Sequence, residues 1–174
     1  MIRRAFIAVV PPDAVLDAVD EHLRGQSFAG WRRARREQRH VTLEFLGHVD
    51  DETDVIDRLQ LLAGGLERFP VRLGGAGAFP RVDRATAVWL GVASGAPELR
   101  GLAAVLRSVT EPPFREHLTV ARSNRPRAAD ALVAALDAPT VGPSWEVDAV
   151  ELIASDTHPS GARYTTVARL ALGG

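Results

Sequence analysis

Short apolar runs alternate with stretches of helical spacing along the whole chain. Phe6 to Val10 is a compact apolar run closed by Pro11-Pro12, which reads as a first strand. From Pro12-Asp13 the pattern becomes helical, with Val15, Leu16, Val19 and Leu23 on one face and Gly25 as its stop. Val41 to Leu46 reads as a strand. Acidic residues at 50–54 complement the dipole of a helix that continues through Val55, Ile56, Leu59 and Leu62 and stops at Gly64-Gly65. Val71 to Leu73 and Thr86 to Val92 read as strands separated by "GGAGAFPRVDR", a loop or bulge by its glycines and Pro80. A third helix is expected from Pro97 to Val109, a strand from His117 to Ala121 and a short helix from Ala128 to Leu136. Trp145 to Ala154 and Tyr164 to Leu172 read as two closing strands joined by the turn-rich "SDTHPSGAR".

Several consecutive strands leave no room for a crossover helix, so the pattern predicts an α+β fold with mainly antiparallel sheet. A chain of 174 residues, 46% hydrophobic and 25% charged, suffices for one compact domain or two small lobes sharing an interface. With no low-complexity tract between its halves, residues 1–174 are expected to form a single two-lobed body. A net charge of −1 excludes a general attraction for polyanions, so nucleic-acid contact has to come from a local patch. Cysteine is absent, which removes disulfides and thiolate chemistry and fits a reducing compartment. The N-terminal apolar run is too short for a secretory signal, and no stretch approaches the length of a membrane span. A cytoplasmic protein, off the membrane, is therefore expected.

Candidate chemistry lies in a repeated motif, "RHVTLEFLG" at 39–47 and "EHLTVARSN" at 116–124. On a strand, residues two apart share a face, so His40 and Thr42 stand together, as do His117 and Thr119. Their neighbours Val41, Leu43, Leu118 and Val120 point into a core. Across a cleft, two imidazoles and two hydroxyls would converge. That set suits in-line displacement at a phosphodiester, where a base and an acid act from opposite sides and hydroxyls hold the non-bridging oxygens. Neither histidine has a second His or a carboxylate at metal-ligand spacing, so no metal and no cofactor is expected. By geometry alone either histidine is eligible for either role. His22, His48 and His158 share no pattern.

The paired His-x-Thr-apolar motifs resemble those of the two-histidine phosphoesterase superfamily, specifically the RNA 2′,3′-cyclic phosphodiesterases, also described as LigT-like 2′-5′ RNA ligases. "FIAVVPP", "ATAVWLG", the Pro-Phe before the second motif and "RYTTVARLAL" resemble segments at the same places in that family. The resemblance implies a bilobal α+β fold with an approximate internal two-fold and a cleft between the lobes. It further implies metal-independent hydrolysis of an RNA-terminal 2′,3′-cyclic phosphate to a 2′-phosphomonoester. His40 would be the general acid on the departing 3′-oxygen, and His117 the base on water. Phe45, as a base-stacking surface, and Arg122, as a phosphate partner, match the family's residues five beyond each histidine. Strict strand alternation turns both away from the histidines, so a strand end or bulge is required at each.

Arg32, Arg33, Arg35, Arg36 and Arg39 lie just before the first motif beside Trp31, and form either an RNA-attracting patch or a solvated loop. The expected partner is RNA with a cyclic phosphate end, or a cyclic nucleotide, with no obligate protein partner and a monomeric state. Two alternatives remain: a module that binds RNA ends without turnover, and the same chemistry on a small cyclic phosphate such as that of ADP-ribose.

Overall fold

The computed structural model describes residues 3–159 and 161–173. In chain order the elements are β1 (Arg3–Val9), α1 (Asp13–Leu23), β2 (Arg32–Arg33), β3 (Val41–Val49), α2 (Glu52–Ala63), β4 (Phe69–Phe79), β5 (Ala85–Ser94) and α3 (Ala96–Leu106). There follow β6 (Leu118–Arg127), α4 (Asp130–Leu136), β7 (Val141–Val147), β8 (Ala149–Asp156) and β9 (Arg163–Ala171). All named strand pairs are antiparallel and belong to one sheet ordered β7-β4-β5-β6-β3-β1-β8-β9, with β2 added on β6. The α+β expectation holds.

The sheet has two four-stranded halves that meet at β3 and β6 through one pair, Val41 with Leu118. Each half contains the succession strand, helix, motif strand, helix: β1-α1-β3-α2 in one and β5-α3-β6-α4 in the other. The halves are not the two halves of the sequence. The middle of the chain, β4 to β7, forms the His117 side, whereas the His40 side combines β1 and β3 with the late strands β8 and β9.

Amphipathic spacing fixes the helices against this sheet. α1 buries Val15, Leu16, Val19 and Leu23, each such side chain contributing roughly 1.5–3 kcal/mol. It packs on β7, the edge strand of the opposite half. β7 is five places from β1 in the strand order, about 24 Å in a flat sheet, so the contact requires the sheet to curl. α2 begins at Asp51, whose carboxylate accepts the Thr53 N–H at 2.8 Å, and packs on β9 and β8. No helix among the described residues is long and apolar enough to cross a membrane.

Two local expectations are corrected and a third is resolved. The Gly-rich run, expected as a loop or bulge, is a bulged part of β4, with a register shift between Leu73 and Ala76; a Cβ at Gly74 would meet the Pro139 carbonyl and one at Gly77 the Trp89 ring, so glycine is required for close approach. The expected strand from Trp145 to Ala154 is two strands. It breaks at Asp148, and β7 pairs with β4 while β8 pairs with β1, in opposite halves. The third helix stops at Leu106, where the Arg107 N–H donates to the Ala103 carbonyl and the backbone turns extended.

Candidate active site

Val41 and Leu118 are fully buried at the junction of β3 and β6. Antiparallel register about that pair sets Thr119 across from His40, and Thr42 across from His117. The four residues flank the junction on the face opposite the core and line one cavity of about 460 Å³. Sequence reasoning placed one imidazole and one hydroxyl in each half. The structure adds that each imidazole stands beside the other motif's threonine.

Phe45 and Arg122 line the same cavity, and β-bulges explain how. In β3, Glu44 pairs with Ile7 and Thr42 with Ala8, so Leu43 is an extra residue. In β6, Ala121 pairs with Val88 and Thr119 with Trp89, so Val120 is the extra one. Both bulges fall three residues beyond the histidine. Burial repeats as well: residues 41–46 and 118–123 both run buried, half-buried, buried, buried, exposed, half-buried. An extra residue inverts the alternation of the strand beyond it. The fifth residue after each histidine thereby returns to the motif's face. Phe45 is 72% exposed, a ring at the rim with an open surface.

Aromatic rings enclose both imidazoles. Phe6 of β1 stacks on His40 at 4.7 Å between centroids, and Tyr164 of β9 meets it edge-on at 5.5 Å. Phe79 of β4 lies 4.8 Å from His117, edge to face, and Trp89 of β5 lies at 6.0 Å. Burial therefore disfavours the charged form of both. His40 is lowered to about 4 by desolvation, then by the nearby Arg122 guanidinium and by His117. His117 is lowered by desolvation, partly offset by its hydrogen bond to Arg115, with Arg122 and the Arg115 cation lowering it further. That bond also selects a tautomer. Nδ1–H of His117 donates to the Arg115 carbonyl oxygen at 2.6 Å; a carbonyl only accepts, so in the neutral ring the free lone pair is on Nε2. Among the described residues no hydrogen bond fixes the His40 ring.

Sequence reasoning missed Phe6, Phe79, Trp89 and Tyr164. For Phe6 a signal existed: "AFIAV" is apolar on both faces, and β1 carries a small second cluster, Phe6 and Ala8 with Ile153, away from the main core. The arginines before the first motif divide. Arg36 pairs with Asp13, Asp17 and Asp20, and Arg39, 3% exposed, with Asp20 at 2.7 Å. Arg33 joins Asp20 at 3.4 Å, and Arg35 pairs with Glu37 and donates to the Ala162 carbonyl. Those four brace the loop against α1 and the segment before β9, whereas Arg32 reaches the cavity. Of the remaining histidines, His22 lies in α1 with Nε2 donating to the Leu136 carbonyl at 2.8 Å, and His48 lies within β3.

Residues 11–159 match the family model described as the 2′-5′ RNA ligase superfamily. The chain belongs to this superfamily. It is 32% identical over 193 aligned residues to an RNA 2′,3′-cyclic phosphodiesterase of Thermus thermophilus, covering 98% of this chain and 91% of that protein. An RNA 2′,3′-cyclic phosphodiesterase of Aeropyrum pernix is 37% identical, with coverage of 74% and 78%. Among solved structures, E. coli LigT complexed with 3′-AMP superposes with a TM-score of 0.77 at 28% identity over the full length of both chains. The superfamily assignment thus rests on sequence and fold together.

Proposed function

We propose that this chain hydrolyses the 2′,3′-cyclic phosphate at an RNA end to a 2′-phosphomonoester, without a metal. The observation that carries the reading is the quartet His40, Thr42, His117 and Thr119 around one buried pair, all four lining the same cavity. The names of the relatives support the substrate class, and the LigT complex with 3′-AMP supports a nucleotide as the kind of ligand bound.

The chemistry follows from the groups present. Nε2 of His117, its lone pair freed by the Arg115 contact, takes a proton from water as the water oxygen bonds to phosphorus. The bond from phosphorus to O3′ breaks, and protonated His40 supplies the proton that leaves O3′ as a hydroxyl. The hydroxyls of Thr42 and Thr119 donate to the non-bridging oxygens, and Arg122 offsets their charge. Phe45 offers a stacking face to the terminal base. A phosphate anion in the cavity favours the charged form of each imidazole and so opposes the burial that keeps His40 neutral. Among the described residues no three His, Cys, Asp or Glu side chains are grouped to hold a metal.

Product analysis on 2′,3′-cyclic AMP and on a short cyclic-ended RNA tests the reading. The expected product carries its phosphate on the 2′-oxygen, activity survives EDTA, and His40→Ala or His117→Ala each lowers kcat by about 10²- to 10⁴-fold. Binding with no product after long incubation, or wild-type rates in either variant, overturns it.

A further inference from the structure

β6 continues past the site to Arg127, its last five residues largely exposed. Arg122, Arg125 and Arg127, with Arg32 of β2, line a second groove of about 330 Å³. It opens from the first cavity, because Arg32 and Arg122 line both. From Arg122 to Arg127 β6 advances five positions while β5 advances only two, from Ala87 to Ala85, so the strand bulges there and gathers its three arginines around the groove.

None of these four arginines pairs with a carboxylate among the described residues. Several other arginines are neutralised locally, as Arg36 is by three aspartates, Arg81 by Asp83, Arg100 by Glu116 and Arg169 by Asp148. Arg32 and Arg122 are moreover directly opposed in the β2–β6 ladder. Like charges so placed destabilise a strand pair. Arg127 donates to the Gly30 carbonyl and lies 5.7 Å from the Trp31 ring, which fixes it as a wall of the groove. In a chain of net charge −1, an unneutralised row of guanidinium groups leading to a phosphate site is a local polyanion track.

We infer that this groove binds the sugar–phosphate backbone of RNA on the 5′ side of the reacting end, so that an oligonucleotide is the preferred substrate over a free cyclic mononucleotide. This rests on the proposed hydrolase activity. Guanidinium groups suit phosphate oxygens, and contacts to the backbone carry no sequence preference.

The test compares kcat/KM for 2′,3′-cyclic AMP and for a tetranucleotide with the same cyclic end, at about 50 and 200 mM salt, in wild type, Arg125→Gln and Arg125→Glu. The Arg125 side chain is exposed and lies outside the first cavity, so mononucleotide turnover also reports intact folding. Wild type is expected to favour the tetranucleotide, with the steeper salt dependence. Arg125→Gln should lower kcat/KM for the tetranucleotide up to about fivefold at low salt and flatten its log–log salt slope by roughly 0.7. Arg125→Glu should do more, and the mononucleotide should change less than twofold. If wild type turns over the mononucleotide but both variants treat the tetranucleotide as wild type does, or if both substrates fall together, the groove assignment is overturned. If wild type turns over neither, the hydrolase reading itself fails, and this one with it.

Discussion

The enclosure of His40 by Phe6 and Tyr164 makes a quantitative prediction about acid stability. The folded protein keeps this imidazole neutral down to about pH 4, whereas in the unfolded chain it protonates near 6.5. Between those values the unfolded state binds more protons, so stability falls as pH drops through the window and is fully restored above 6.5. The linkage expression with these two values gives about 2.5 kcal/mol lost from His40 alone between pH 7.5 and 4.5. For a protein of this size that corresponds to roughly 5–10 °C in Tm. Urea unfolding of wild type and His40→Gln at both pH values isolates the effect, since carboxylates and other histidines contribute to both proteins. The lowering of His117 comes from burial, Arg122 and Arg115, which the substitution leaves in place. The variant should lose about 2.5 kcal/mol less than wild type on acidification. If the two proteins lose the same amount to within about 0.5 kcal/mol, His40 is solvated in the folded state and its aromatic enclosure does not control its protonation.

Two further outcomes are expected. Because both imidazoles are held below 6.5 and the proposed acid–base pair would react with one proton between them, kcat/KM against pH should be a bell centred on the acid side of 6.5; an optimum above pH 7.5 would contradict this. The buried Glu44 carboxylate accepts from the Ser108 N–H at 3.0 and 3.1 Å and from the Ser108 hydroxyl. Glu44→Ala should therefore cost about 2–3 kcal/mol in urea unfolding, and a loss under about 0.5 kcal/mol would show that this link between β3 and the segment after α3 is dispensable.

The sequence made the motif strands and the pairing of each histidine with its threonine legible, because two-residue alternation needs only local information. It did not reveal the bulges. Leu43-Glu44 and Val120-Ala121 occupy successive inward positions, and Glu44 in particular reads as an outward residue; its contacts with Ser108, 64 positions away, and with Arg58 at 4.0 Å account for its burial. The tension over Phe45 and Arg122 marked where a bulge was needed, but which residue was extra depended on partners in β1 and β5. "WEVDAVELIA" keeps one uninterrupted strand pattern through Asp148, because both β7 and β8 present an apolar face to the interior while pairing with different neighbours. The tautomer of His117 was equally hidden, since it depends on how the backbone at Arg115 turns back beneath the ring.

The interleaving of the two halves has a consequence for biosynthesis. Strands leave a ribosome in chain order, so β4 to β7 emerge ahead of β8 and β9, and the His117 side has its strands free while the His40 side still lacks its last two. Until then β1 presents an unpaired backbone edge with Phe6 uncovered, a surface open to pairing with other nascent chains. Tyr164 arrives only with the final strand, so a polypeptide interrupted near Val147 would contain both histidines yet leave His40 with Phe6 alone of its two aromatic neighbours.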